Sequence, residues 1–153
     1  MTPSVEFPPV DPSVRADLRL AIESMPASRW LGLRIAGFDP KGVSRIDMTV
    51  RPEMTFDGVS VQGGLVGALA DYAGVSAAVC TMPDGWRAAT AGFEVHNIAP
   101  AAGELLVAIG RAVNVGRTLG VSRADVYALR DGVWTLVTVA TTTARMFEPA
   151  QRG

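Results

Sequence analysis

The sequence predicts an α+β fold in which a curved antiparallel sheet wraps one long central helix. Three observations predict it. Residues 62–80 are apolar on nearly every side, and a helix that is hydrophobic all round either spans a membrane or is enclosed by a fold. The helix residues are mostly Ala, Gly, Val and Leu, small enough for other backbone to come close. Four long strand-like runs then follow, at 88–98, 104–114, 119–129 and 133–146. Strands of that length must curve, and a curved meander has a natural partner in a helix that needs covering.

The membrane alternative is weaker. The run approaches the roughly 20 apolar residues of a span, but Asp71 falls near its middle, where a charge costs roughly 2.5–3.5 kcal/mol. No Lys or Arg cluster flanks it, and Met82-Pro83-Asp84-Gly85 turns the chain straight after.

In chain order, residues 1–11 are Pro-rich and read as a loosely held arm. Asp11-Pro12 offers an N-cap followed by a first-turn proline, and Val14, Leu18, Ile22 and Met25 then share one face of a helix over 13–25. Trp30 is expected at the edge of the core. Residues 34–38 and 43–51 flank the turn Asp39-Pro40-Lys41-Gly42 as a hairpin. In its second strand Ile46, Met48 and Val50 alternate with Arg45, Asp47 and Arg51, giving a buried face and a wet one. A loop over 53–60 leads into the central helix. Pro100-Ala101-Ala102-Gly103, Val115-Gly116-Arg117 and Arg130-Asp131-Gly132 separate the later strands as hairpin turns. Residues 147–153 form a short tail, and the whole chain reads as one domain.

Composition narrows the function. Of the 153 residues, 48% are hydrophobic and 19% charged, which suits a compact protein with much internal or subunit-buried surface. The net charge of −1 supplies no basic patch for nucleic acid or an anionic membrane. One cysteine, Cys80, permits no internal disulfide or cysteine zinc cluster, and the lone His96 permits no multi-histidine metal site within one chain. No metal or cofactor is expected. The first nine residues have neither a basic region nor an apolar run, so no secretory signal is read there and a cytoplasmic location is expected.

Asp71 is the only formal charge in the central helix. A carboxylate in a dry interior is costly unless it is paired or placed at an opening to water. Such a group can have a raised pKa and serve as a base or a nucleophile; it can equally be a structural carboxylate bonded to a strand. Gly63 and Gly64 open the helix, where unpaired N–H groups and a partial positive charge can polarise a carbonyl; the alternative is that they only permit tight packing. Asp71 follows Gly63 by eight residues, about 12 Å along a helix axis. Both can serve one reacting group only if two copies of the chain share the site.

The order Gln62-Gly63-Gly64, Leu69-Ala70-Asp71, Thr90, Ile98-Ala99-Pro100-Ala101 and Gly116-Arg117-Thr118-Leu119 resembles the hotdog-fold acyl-CoA thioesterases, most of all the phenylacetic-acid-degradation type, over about residues 30–146. The resemblance implies a homodimer or homotetramer, an acyl-CoA substrate and a site across a subunit interface. It implies catalytic roles for Asp71, Gln62, Gly63 and Thr90, and substrate contacts from Gly64, Phe56, Tyr72 and Arg117. Two positions depart from the family pattern: Gln62 stands where His is common, and Phe56 where Asn is frequent. The Gln62 amide can still donate; Phe56 cannot. Arg117 is a candidate for a coenzyme A phosphate, or a solvated turn arginine. Thr90 holds the water or the carboxylate, or is an ordinary strand threonine. Tyr72 and Ser76 are candidates for the acyl pocket, whose size depends also on Phe56, Trp86 and Phe93. His96 reads as structural or surface, and Cys80 as core filling. Besides thioester hydrolysis, the same residues allow a non-catalytic acyl-CoA or acyl-carrier binding protein. A hotdog hydratase fits less well, because its Asp and His pair at the helix start is absent.

Overall fold

A computed structural model describes residues 4–150. The elements in order are α1 (Ala16–Ser24), α2 (Pro26–Leu31), β1 (Leu33–Asp39), β2 (Val43–Thr49), a single 3₁₀ turn (Pro52–Met54), α3 (Gly63–Val79), β3 (Arg87–Asn97), β4 (Leu105–Val115), β5 (Leu119–Arg130) and β6 (Val133–Phe147). The strands form one antiparallel sheet in the order β1-β2-β4-β5-β6-β3, curled around α3. This is the hotdog architecture the sequence predicts. Among the described residues no helix is long and apolar enough to cross a membrane.

Small residues let α3 sit deep in the sheet. Alternate residues of β5 (Gly120, Ser122, Ala124, Val126, Ala128) turn inward, as a half-buried strand requires. A Cβ added at Gly110 of β4 would lie 2.0 Å from the Ala73 carbonyl oxygen, so only glycine permits that approach. Ser44 of β2 is buried and donates its hydroxyl to the same oxygen at 2.6 Å. Leu69, Val66, Phe38, Ile46, Met48 and Leu106 complete the centre of the core.

At its far end α3 is tied down by Arg15. This residue takes a left-handed backbone (φ 47°, ψ 46°) at the start of α1. Its guanidinium donates to the carbonyl of Val79, the last residue of α3, and to those of Met82 and Trp86 beyond it, each at 2.8 Å. Asp17 accepts from Arg15 at 2.8 and 3.0 Å, from Arg87 at 2.8 Å and from the Gly85 N–H at 2.9 Å. Arg15 above all holds its carboxyl far below the ordinary carboxylate range.

Several expectations are corrected. The four later strands are not one meander: only β4, β5 and β6 are consecutive neighbours, and β3 crosses to the far edge beside β6. The segment at Pro100 is therefore a crossover; it passes the start of α3, where the Val61 N–H meets the Ala101 carbonyl at 3.0 Å. The first helix starts at Ala16 because Arg15 takes a left-handed backbone just before it, and Asp11 closes only a local turn. The Asp11 backbone bridges to Phe38, and its side chain accepts from the Ser13 N–H and hydroxyl at 2.8 and 2.7 Å. Pro26 does not end helical structure but starts α2 at its first turn, leaving Trp30 exposed under a stacked Arg51 rather than in the core edge. Asp47, expected on the wet face, is buried under Arg34 and Arg45. The arm is not loose: Phe7 packs edge-on against Tyr127 and Trp134, with ring centroids 5.4 and 5.0 Å apart. Residues 1–3 of the arm and 151–153 of the tail lie outside the described residues.

Candidate active site

Asp71 projects from the middle of α3 toward β3, where the Thr90 hydroxyl lies 2.9 Å from both carboxylate oxygens. A register shift between Thr90 and Gly92 interrupts the pairing of β3 with β6 at this point, the kind of bulge that re-aims a side chain. Burial raises the Asp71 pKa above the ordinary aspartate value, and the Thr90 bond opposes that shift only in part. The pair stands on a cavity of about 240 Å³ between α1, α3 and β3, which Tyr72 and Ser76 also line. Ser76 is spent locally, donating to the Tyr72 carbonyl at 2.6 Å.

The start of α3 is a separate place. Gln62 caps the helix with its own side chain: Oε1 accepts from the N–H of Gly64 at 2.7 Å and of Leu65 at 3.3 Å. Of the two glycines singled out in the sequence, Gly64 thus has its N–H occupied, while the Gly63 N–H has no partner among the described residues. Holding Oε1 on the helix leaves the Gln62 Nε2 hydrogens as the free donors of that amide. Phe56 lines a small cavity of about 100 Å³ at the start of α3, with Gly63, Val66 and Asn97, and the residue is 70% exposed.

Asn97 is the residue the sequence reading missed. The buried Thr138 hydroxyl donates to Asn97 Oδ1 at 2.7 Å, which turns Nδ2 toward the helix start. A Cβ added at Gly63 would lie 2.8 Å from that Nδ2, so glycine at 63 makes room for the Asn97 amide. Its position directly before the recognised Ile98-Ala99-Pro100-Ala101 run, at the end of the strand that carries Thr90, was the available signal.

The remaining candidates lie apart. Arg117 is exposed, pairs with Glu148 and stacks over the Trp86 ring at 5.9 Å. His96 points away from α3 on β3, with Nε2 2.6 Å from Glu94 Oε1. Cys80 is buried and its thiol is pushed up to about 12, chiefly by burial, so it is no nucleophile at neutral pH. Among the described residues no group of His, Cys, Asp and Glu is arranged to hold a metal.

A buried helix wrapped by this six-stranded antiparallel sheet, carrying one carboxylate toward an edge strand, defines a hotdog-fold protein. Comparison with solved structures agrees. A thioesterase-family protein from Silicibacter pomeroyi superposes with a TM-score of 0.81 at 29% identity, covering 88% of this chain and 98% of that one. The Escherichia coli PaaI protein of the phenylacetic acid degradation operon gives 0.75 at 22% identity, covering 92% and 99%. A thioesterase from Haemophilus influenzae gives 0.75 at 20%, covering 90% and 92%. The last two likenesses carry the fold alone. No family model and no curated protein matches the sequence.

Proposed function

We propose that the protein hydrolyses the thioester bond of an acyl-CoA at sites shared by two copies of the chain. The observation that carries this reading is the Asp71–Thr90 pair, held at the exposed end of an apolar cavity with the carboxyl pKa raised. It stands about 12 Å along α3 from its own Gly63. β3 is a sheet edge with one free side, and edges seek pairing. Antiparallel pairing of two β3 strands runs the Thr90 end of one chain along the Asn97 end of the other. Asp71 of one chain then faces the helix start of its partner.

In this mechanism Asp71 takes a proton from water while the water oxygen bonds to the thioester carbon. The carbonyl oxygen gains the electron pair and rests on the Gly63 N–H, the Gln62 Nε2 and the Asn97 Nδ2 of the second copy, donors aimed where charge develops. When the C–S bond breaks, the thiolate leaves with its electron pair and recovers the proton from Asp71. Carboxylic acid and free coenzyme A thiol result. Arg117 is a further coenzyme A contact only by exchanging Glu148 for a phosphate.

A second reading has its own support. Gln62 Oε1 occupies the Gly64 N–H and Phe56 offers no donor, so the same cleft suits a protein that binds an acyl-CoA or an acyl-carrier thioester without cleaving it. An acyl-CoA panel assayed for free thiol decides. Thiol release that depends on Asp71 supports hydrolysis; tight binding with no release supports the binding protein.

A further inference from the structure

We infer that the cavity behind Asp71 receives the acyl group, and that α1 makes it selective for an uncharged, apolar acyl group of no more than about ten carbons. The inference rests on the thioester reading of the site.

Direction comes first. Asp71, Val75 and Val79 succeed one another at four-residue steps on one face of α3, about 12 Å of helix. The cavity follows that face away from Gly63, toward the helix C-terminus. Thr90 is exposed at one end, whereas Val79 and Leu18 are 1% and 3% exposed at the other. A thioester carbon beside Asp71 therefore leads its acyl chain inward, under α1.

The walls state the chemistry. Leu18 and Ile22 of α1, with Met25 just past its end, present an apolar wall, facing Val75, Val79 and Ala88. Besides Asp71 the one charged lining residue is Arg87, and its Nη1 is already spent on Asp17 and the Trp86 carbonyl, at 2.8 and 2.9 Å. An acyl group ending in a second carboxylate would have to compete with Asp17 for Arg87 and would otherwise lose its hydration against apolar walls. Size follows from volume: a cavity of about 150 Å³ accommodates benzene, so about 240 Å³ scales to roughly ten carbons. The roof is anchored, because the Arg15 clamp ties the start of α1 to carbonyls at and beyond the end of α3. A fixed roof makes the length limit a property of named side chains.

The test is a series of straight-chain acyl-CoAs from two to sixteen carbons, with succinyl-CoA and glutaryl-CoA, against wild type, Ile22→Ala and Val75→Phe. Val75 is only partly buried, so its variant keeps the experiment alive if Ile22→Ala melts below assay temperature. Wild-type kcat/KM should rise with length, then fall beyond about ten carbons. One methylene in an apolar pocket is worth about 10–200-fold, so Val75→Phe should lower the octanoyl-to-acetyl ratio by about tenfold or more, and Ile22→Ala should move the limit to longer chains. The same ratios are read as Kd by calorimetry on the Asp71→Asn protein. Length-dependent binding without thiol release would leave this inference standing and sink the hydrolysis reading. Thiol release with ratios unmoved by both variants, or a preference for succinyl-CoA, would overturn the inference and leave hydrolysis intact.

Discussion

Two chains per site can be tested by poisoning each half separately. Asp71→Asn removes the proton acceptor and keeps the side-chain shape. Gly63→Val attacks the other half: even a single Cβ there lies 2.8 Å from Asn97 Nδ2, under the closest distance real contacts show, and the two valine methyls fill the space where a carbonyl oxygen must sit. General-base contributions are worth roughly 10²–10⁴-fold, and loss of an oxyanion donor about 10²–10³-fold. Each homodimer should therefore run at 1% of wild type or less, by order of magnitude. In a mixed dimer one site carries both lesions and the other neither. Random reassembly of equal amounts makes half the dimers mixed, each with one intact site, so about one quarter of wild-type turnover should return. The assay is thiol release after co-refolding, with mixed dimers verified by affinity-tag pull-down or native mass spectrometry. Verified mixed dimers at background activity would refute the shared site. A monomer by light scattering at micromolar concentration would remove its premise.

Other outcomes follow from the same geometry. Deleting the Thr90 hydroxyl removes the bond that lowers the Asp71 pKa, so Thr90→Val should move the acid limb of the kcat/KM profile to higher pH; a limb that stays put or moves down would refute the link. Burial keeps the folded Asp71 pKa above its unfolded value, so the native state binds the extra proton and this residue costs stability as pH rises through that window. Asp71→Asn should therefore melt above wild type at neutral pH, with the gap closing at pH below the unfolded aspartate value. Asn97→Ala should lower kcat more than it raises KM, by about tenfold or more if its amide meets only the developing oxyanion, and Thr138→Val should reproduce part of that loss by releasing the amide. Gln62→Ala should lower both the melting temperature, by loss of a cap worth about 1 kcal/mol, and turnover; Gln62→His should keep turnover. Unchanged turnover in Gln62→Ala would make its Nε2 a bystander.

The fold was legible because its signals are local. An all-round apolar helix of small residues and strand runs of alternating polarity announce themselves, and the strand bounds differ from the expected ones by one or two residues. What was hidden is where a strand goes after it ends. β3 and β4 are adjacent in sequence with a Pro-Gly-containing connection, which reads as a hairpin; the crossover depends on β2 having paired with β4, a long-range choice no local window contains. The start of α1 was misplaced for a similar reason, since Arg15 takes a left-handed backbone and reaches carbonyls more than sixty residues away. At the site, Asp71 was visible as a lone charge in an apolar helix. Asn97 was not, because its significance lies in a buried threonine 41 residues away that turns its amide.

Gln62 joins the fold and the proposed chemistry. The start of a helix has orphan N–H groups to spend, and the chain can spend them on its own side chain or on a ligand. The Gln62 oxygen satisfies Gly64 and Leu65, so under the proposed mechanism the donors left for a substrate are Gly63 N–H, Nε2 of Gln62 and Nδ2 of Asn97. Histidine at 62 could cap only through an unprotonated ring nitrogen, leaving one N–H to donate. Glutamine keeps an acceptor and two donors at every accessible pH. Under the proposed mechanism, glutamine in place of the histidine common in the resembling thioesterases keeps the oxyanion donors and leaves the pH dependence of turnover to Asp71.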